Sequence, residues 1–563
     1  MTMQHTPEAA PHPSSRSGSG RMLIAVAISL VLLAAACGKS STSSTSSGTT
    51  PGQQGVATDE GTPVDGGTLV IGIGAETNGW NPIYAQWADT GSLVASSVFE
   101  PLATVGPDLS AQPWLATSWT PNAAFDSWTI TLREGVTYQN GEAFDAASVK
   151  QNLDGYISGP LSGLALAPMF KDVKVVDTKT VQVDLKQPWA AFPSSFLQGG
   201  SSWMMAPAMF VPADHSSTHP IGTGPFTFDS WTPDSTFKAK KNPTYWQNGL
   251  PHLASIEFRV IPDETARSDA LQTGDVNMIY TTSATSANTM GDQYHVIRDW
   301  DTESAFVMTN TAPETGGKAN PLANEHARKA LTYATDPATV AAIIGDGVQV
   351  PTGPWSPTNP WGLPKDQNGA LGFDIEKAKQ EVALYQQDTG ASDLTVSLSG
   401  LPNIDDQRVL QLVTSQWSEA GIKGKIESLE QTQYILKIAT GDFQAAFFRN
   451  YGYTDPDQDY YFWSSSTAKG VGNISINFTQ YTAPPIEADL KTGRESPDVT
   501  VRQGAYHDLV TQLNASATNI WLYNTPYSFI ADPNVRGLQP LTETPFGNYS
   551  PKTWLAGLWR ASS

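Results

Sequence analysis

Hydrophobic positions recur along this chain with two spacings, and the spacing separates strands from helices. GTLVIGIG, beginning at Gly67, puts Leu69, Ile71 and Ile73 on one face of a strand, and Trp128, Ile130 and Leu132 repeat the two-residue alternation. VKVVDTKTVQVDL predicts a hairpin, with Val173 and Val175 facing Val181, Val183 and Leu185 across turn residues Asp177 to Thr180. IEFRV supplies a further strand through Ile256, Phe258 and Val260. Between these runs the period lengthens to three and four. Asp145 can cap a helix striped by Val149, Leu153 and Tyr156, because its short side chain accepts from the first free amides, and Phe144 can staple against Val149. Asp336 followed by Pro337 opens another helix, and Asp374 a third that carries Ile375, Ala378, Val382 and Tyr385. Residues 406–421 give the clearest stripe: Val409, Leu410, Val413, Trp417 and Ala420, stopped by Gly421 and followed by a strand alternating Ile422, Gly424 and Ile426. Helices and strands interleave without a short repeat, so the expected fold class is α/β with more than one lobe.

The amino terminus departs from this pattern. Arg16 and Arg21 precede a run from Met22 to Ala36 in which Ser29 is the only polar residue, and Cys37 closes it. Such a run spans about 22 Å as a helix, short of the roughly 30 Å hydrocarbon core, and reads as the apolar region of a signal peptide. With Ala34, Ala35 and Ala36 before the cysteine, the stretch resembles a bacterial lipobox, although Leu33 stands one position earlier than usual. That resemblance implies a signal peptide at 1–36 and lipidation of Cys37. Residues 40–50 are all Ser, Thr or Gly, and polar sequence continues to Asp65, so 37–65 is expected to be a flexible tether.

Composition narrows the chemistry. A single cysteine in 563 residues excludes a disulfide framework and a cysteine-based zinc site. With 54 acidic against 33 basic residues and a net charge of −21, a nucleic-acid partner is not expected. No phosphate loop, metalloprotease helix or nucleophile elbow is present. Gly72 and Gly74 begin a GxG that lacks its third glycine and reads as a strand ending in small residues. His215 and His219 stand four apart, but the Ser-Ser-Thr between them and Pro220 after them argue for a loop, so no metal site and no cofactor is assigned. Arg449 to Trp463, RNYGYTDPDQDYYFW, sets Asp455, Asp457 and Asp459 among aromatic rings. These carboxylates fit a ligand cradle, a glycosidase pair or a solvated turn. Calcium fits less well, because the spacing lacks the glycine and terminal glutamate of an EF-hand.

Several ordered segments resemble one family, the family 5 solute-binding proteins of ABC importers, which include dipeptide- and oligopeptide-binding lipoproteins. The first runs from Val98 to Asp154 and carries EPL, PWLATSW, WTITLREGV and NGEAFDAASV. The second, GTGPFTFDSWTPDSTFKAKKNPTYW, runs from Gly222 to Trp246. The third comprises RVIPDETARSDALQTGDVNM, HARKALTYATDPATV and GDFQAAFF. Resemblance covers roughly residues 66–550.

The resemblance implies a two-lobed, periplasmic-binding-protein-like fold of type II with a hinge. Lobe I would take 66–100, 221–305 and 524–563, an inserted subdomain 101–220, and lobe II 306–523. It implies a monomer that captures a short peptide between its lobes and passes it to a permease and ATPase, anchored to the outer face of the membrane by lipid and without enzymatic activity. An oligosaccharide is the alternative cargo, and a secreted glycoside hydrolase using Asp455 and Asp457 the alternative of another class. Asp455 and Asp457 match the family's DPD element, which lies near an aspartate that meets the peptide amine in relatives; the upstream aspartate has no counterpart here. Asn450 and Tyr453, which precede that element, are expected with it among the ligand-binding residues. Glu76, Asn78 and Trp80 lie in the loop that faces the cleft in relatives, Trp80 being otherwise a core residue, and Trp355 and Trp361 lie in a proline-rich segment that borders it.

Overall fold

The computed structural model describes residues 61–538 and 553–561, except 86, 88, 107, 161, 200, 201, 212–216, 292, 451 and 452. The signal-peptide, Cys37 and most of the tether expectations lie outside the described residues, as does His215.

Three larger sheets organise the chain. A seven-stranded sheet has the order His295–Asp299, Tyr527–Ala531, Met278–Thr281, Thr68–Ile73, Ser255–Val260, Thr236–Lys241 and Phe226–Thr232. Its centre is parallel, Thr68–Ile73 lying between the strands at 255 and 278, and its flanks are antiparallel. Leu69, Ile71 and Ile73 are buried beneath it as the alternation requires. A five-stranded sheet has the order Lys423–Ser428, Thr395–Gly400, Ala445–Asn450, Ser304–Thr309 and Asn519–Asn524. The third sheet, four antiparallel strands between Ala116 and Leu185, contains the hairpin of Phe170–Asp177 and Thr180–Leu185.

Local chemistry explains the helices. Ala146–Ser158 starts at a capping box: the Ser148 amide donates to Asp145 Oδ1 at 2.9 Å and the Asp145 amide to Ser148 Oγ at 3.1 Å. Val149, Leu153 and Tyr156 line its buried face. Pro337–Ile344 and Ile375–Thr389 begin at Asp336 and Asp374, whose side chains each accept an amide hydrogen bond of 3.1 Å. Ile404–Glu419 begins two residues before the expected start because Asn403 is the cap, accepting from the Asp406 amide. Two expected faces are only partly covered. Val175 is exposed because the bulged 170–177 strand is the edge of its sheet, and Ile426 is exposed on another edge strand.

The family-like motifs converge on one buried acid. Glu100, fully buried, accepts from Trp114 Nε1 and Tyr245 OH on one oxygen and from Trp246 Nε1 and Thr223 Oγ1 on the other, at 2.8–2.9 Å. Burial pushes its carboxyl up to about 7, against the pull of those four donors. EPL, PWLA, GTGPF and NPTYW thus each supply one part of a single junction between the seven-stranded and four-stranded sheets. Gly224 is needed there: its amide donates to Val98 O at 2.8 Å, and a Cβ would stand 2.6 Å from the Val98 backbone. Gly72 and Gly74 make room for the Arg267 side chain, which a Cβ would meet at 3.2 and 3.0 Å.

Candidate functional site

Two stretches of chain cross from the seven-stranded sheet to the five-stranded one. One passes from His295–Asp299 into Ser304–Thr309, the other from Asn519–Asn524 into Tyr527–Ala531. They pair on both sides of the crossing, Asp299 opposite Tyr527 and Ser304 opposite Asn524. Between those pairs the Thr525 amide donates to Glu303 O at 2.8 Å and Thr525 Oγ1 donates to Glu303 Oε1 at 2.9 Å. Glu303 is thereby fixed at the crossing, immediately before the strand Ser304–Thr309.

Charged groups from both sheets gather around it. Asp89 opens the helix Asp89–Ala95 and accepts from Tyr527 OH at 2.8 Å. Tyr280 stacks on Tyr527 with ring centroids 5.8 Å apart. Arg449 comes from the other sheet, continuing the face of Ala445 and Phe447 at the end of Ala445–Asn450. It is exposed by surface area, whereas Asp89, Glu303 and Asp406 are half-buried. All four are nevertheless crowded by protein strongly enough to shift their protonation.

The electrostatics are unbalanced. Burial, reinforced by the charge of Glu303, pushes the Asp89 carboxyl up to about 7, and the hydrogen bond from Tyr527 offsets only part of this. Burial likewise raises Glu303, with Arg449 pulling the other way, and raises Asp406 against the same arginine. For Arg449, burial opposes the charge, but Tyr527, Glu303, Tyr523 and Asp406 together hold the guanidinium firmly protonated. Arg449 thus keeps its charge beside carboxyls that burial biases toward the protonated form, its strand pairing at Ala305 with the one that follows Glu303.

The residues nominated from sequence are placed as follows. Glu76 accepts from Trp231 Nε1 at 2.6 Å and from the Asp234 amide, bracing a hairpin turn. Asn78 is exposed. Trp80 is buried to 1% exposure between Trp231 and Phe237. Trp355 is inside a cluster with Trp463 and Tyr506, and its Nε1 donates to Asp459 Oδ2. Trp361 Nε1 donates to Thr454 O. Asn450 and Tyr453 are half-buried beside Arg449 in sequence, and Tyr453 OH donates to Asn450 Oδ1 at 3.4 Å.

Asp455 and Asp457 are engaged inside the protein. Arg502 Nη2 donates to Asp455 Oδ1 at 2.6 Å and Arg494 Nε to Asp457 Oδ1 at 2.7 Å, with all four groups buried. Ser194 Oγ donates to Asp455 Oδ2, and Ser195 Oγ and Trp189 Nε1 to Asp457 Oδ2. Neither carboxylate is open to a ligand in this arrangement. Burial raises the third acid, Asp459, far above the ordinary range, with the Trp355 hydrogen bond in opposition. Sequence reading passed over Asp89, Glu303 and Arg449. The available signal was the arginine that follows four apolar residues in the strand AAFFRN.

Comparison with known proteins agrees with this architecture. The profile of the bacterial extracellular solute-binding proteins, family 5, middle region, matches residues 110–473. The chain is 26% identical over 506 residues to the glutathione-binding protein GsiB of Salmonella paratyphi A, covering 82% of this chain and 93% of that protein. The oligopeptide-binding protein AppA from Bacillus subtilis, solved with a nonapeptide, superposes with a TM-score of 0.76 at 21% identity. That superposition covers 89% of this chain and all of AppA. AgaA of A. tumefaciens R10, solved with agropinic acid, gives a TM-score of 0.76 at 22% identity, covering 88% of this chain and 99% of that one. These likenesses establish the two-lobed, type II binding-protein fold expected from sequence. Among the described residues no helix is long and apolar enough to cross a membrane, and no cluster of three or more His, Cys, Asp or Glu is arranged to hold a metal.

Proposed function

Because the chain belongs to the bacterial extracellular solute-binding proteins of family 5, the binding subunits of ABC importers, we propose that its cargo is a short peptide held between the lobes. The observation that carries this reading is the cleft with Asp89 and Glu303 on one side and Arg449 on the other. A peptide carries an ammonium and a carboxylate to match such charges, whereas a neutral sugar would leave them desolvated and unpaired. The similarity to a glutathione-binding protein and to a binding protein solved with a nonapeptide supports it. Lobe closure traps the ligand through its greater affinity for the closed state and presents the closed surface to a permease and ATPase.

In this reading lobe I comprises 66–100, 221–305 and 524–563, the inserted subdomain 101–220 and lobe II 306–523, a division that the membership of the three sheets follows to within about two residues at each crossing. Asn78, Asn450 and Tyr453 remain ligand-facing candidates. Glu76, Trp80, Trp355, Asp455 and Asp457 act indirectly, by bracing the walls. The protein is a monomer tethered to the outer face of the membrane through lipidated Cys37. It is not a hydrolase, because a glycosidase needs one carboxyl free to donate a proton and the other free to attack, and both Asp455 and Asp457 are ion-paired. Native mass spectrometry after equilibration with a di- to pentapeptide library and with cello-, xylo- and malto-oligosaccharides tests the assignment. One peptide per chain is expected, and retention of sugar alone would exclude it.

A further inference from the structure

We propose that residues 189–198 of the inserted subdomain are a latch that closes on the carboxylates of Asp455 and Asp457 and holds the lobes together in the absence of ligand. This rests on the division into lobes given above and is independent of what the cleft carries. Three observations support it.

First, each carboxylate divides its oxygens between the two sides. Asp455 Oδ1 accepts from Arg502 and Oδ2 from the Ser194 hydroxyl; Asp457 Oδ1 accepts from Arg494, and Oδ2 from Ser195 Oγ at 2.8 Å and the Trp189 indole at 2.5 Å. Three more bonds cross beside them: Gln198 Nε2 to Thr454 Oγ1 at 2.9 Å, Gln458 Nε2 to Ser194 O at 2.8 Å, and the Ala191 amide to Arg494 O at 3.2 Å. Parting these contacts leaves both arginines their carboxylates, so no charge is stranded when the lobes open. Second, the serines are provided for in both states. A hydroxyl has one hydrogen to give. Ser194 Oγ and Ser195 Oγ lie 3.1 and 2.8 Å from Ala191 O, just ahead of their own π-helical turn Pro193–Leu197, as well as within reach of the carboxylates. Rotating each proton from the carbonyl to the carboxylate exchanges a neutral bond for a charge-assisted one, roughly twice as strong. Closure is favoured without the open state being left unsatisfied.

Third, among the described residues no buried apolar cluster spans this contact. The cluster that holds Trp189, Phe192 and Phe196 draws on residues 69–297 and 527–558, and the one that holds Trp355, Trp463 and Tyr506 draws on 306–521. The two sides meet here through polar groups and through the Arg494 guanidinium, which lies over the Trp189 ring at 4.7 Å from its centroid. An interface of this polar kind separates reversibly, whereas a continuous core does not.

The test needs no ligand. Hydrogen–deuterium exchange and small-angle scattering are recorded on the full exported chain for wild type, for the double variant Ser194→Ala/Ser195→Ala and, from the opposite side of the contact, for Gln458→Ala. In wild type the segment 189–199 should exchange slowly, because the Ala191 amide is free only when the lobes part, and the scattering should be that of a closed molecule. In the double variant that segment should exchange at least about tenfold faster and the radius of gyration should rise, while exchange across Thr68–Ile73 stays as in wild type. Gln458→Ala should move both readings the same way by a smaller factor. An unchanged double variant would overturn the latch. So would unprotected exchange of 189–199 in wild type, faster exchange with no change in scattering, or faster exchange spread equally to Thr68–Ile73. Since no ligand is added, an error in the peptide assignment alters none of these outcomes.

Discussion

The indole N–H of Trp189 donates to Asp457 Oδ2 at 2.5 Å, joining residues 268 positions apart. The Arg494 guanidinium pairs with the other oxygen of Asp457 and lies over the Trp189 ring, 4.7 Å from its centroid. Ser194 and Ser195 reach the neighbouring carboxylates from the same side, and Gln198 Nε2 donates to Thr454 Oγ1 at 2.9 Å. The two arginine pairs lie within residues 455–502, whereas the serine, glutamine and indole contacts reach them from residues 189–198. In the proposed division of the lobes, opening of the cleft breaks only the latter.

Trp189→Phe keeps the ring and removes the donor, so it should weaken ligand binding by about tenfold while changing unfolding free energy by about 1–2 kcal/mol. Asp457→Ala strands a buried arginine and should lose about 3–5 kcal/mol of stability. Urea denaturation and small-angle scattering check the pair: Trp189→Phe should be more open in solution yet fold nearly as well, and Asp457→Ala should be the one that unfolds early.

Stability should fall as pH rises from about 4 to 7. The unfolded carboxyl of Asp89 titrates near 3.9, and in the folded protein it is pushed up to about 7, so the native state holds the extra proton across that window. The stabilisation is therefore complete below the unfolded value and is lost as pH climbs through the folded one. Glu100, also raised to about 7, acts in the same direction. Asp89→Asn should flatten the slope measured by urea denaturation between pH 5 and 8, and an unchanged slope would count against the shift.

Gly224→Ala should destabilise by at least about 2 kcal/mol, because its Cβ would press on the Val98 backbone, which cannot rotate away. Alanine at Gly372, where nothing lies within 4 Å of the added atom, should be nearly silent and serves as the control. Thermal unfolding of the two variants reads the difference directly.

Cys37→Ala should release the protein from the membrane fraction into the medium or periplasm and abolish incorporation of labelled palmitate. Persistence of the label would place the modification elsewhere.

Much of the fold was legible because local and global demands agree. Asp145, Asp336 and Asp374 cap the helices that they open, and Leu69, Ile71 and Ile73 fill the face that alternation assigns them. The site was less legible because its residues are ordinary in sequence. Asp89 is merely the first residue of a helix and Glu303 sits in a four-residue crossing; only the pairing of Asp299 with Tyr527 and Ser304 with Asn524 brings them beside Arg449. Asp455 and Asp457 drew notice as acids among aromatics, but their chemical context is set by Arg494 and Arg502, some 40 residues further along. Trp80 similarly advertised a ligand face and is buried against Trp231 and Phe237.

Isothermal titration of wild type and Arg449→Met with the peptides recovered from the library tests the central claim most directly. Wild type should bind one equivalent, and a ligand present at 100 times its Kd should stabilise the fold by about 2.7 kcal/mol. Arg449→Met should bind at least about tenfold more weakly with its unfolding profile otherwise unchanged. Saturable binding of an oligosaccharide with no response to peptides, or peptide affinity indifferent to Arg449, would contradict the account.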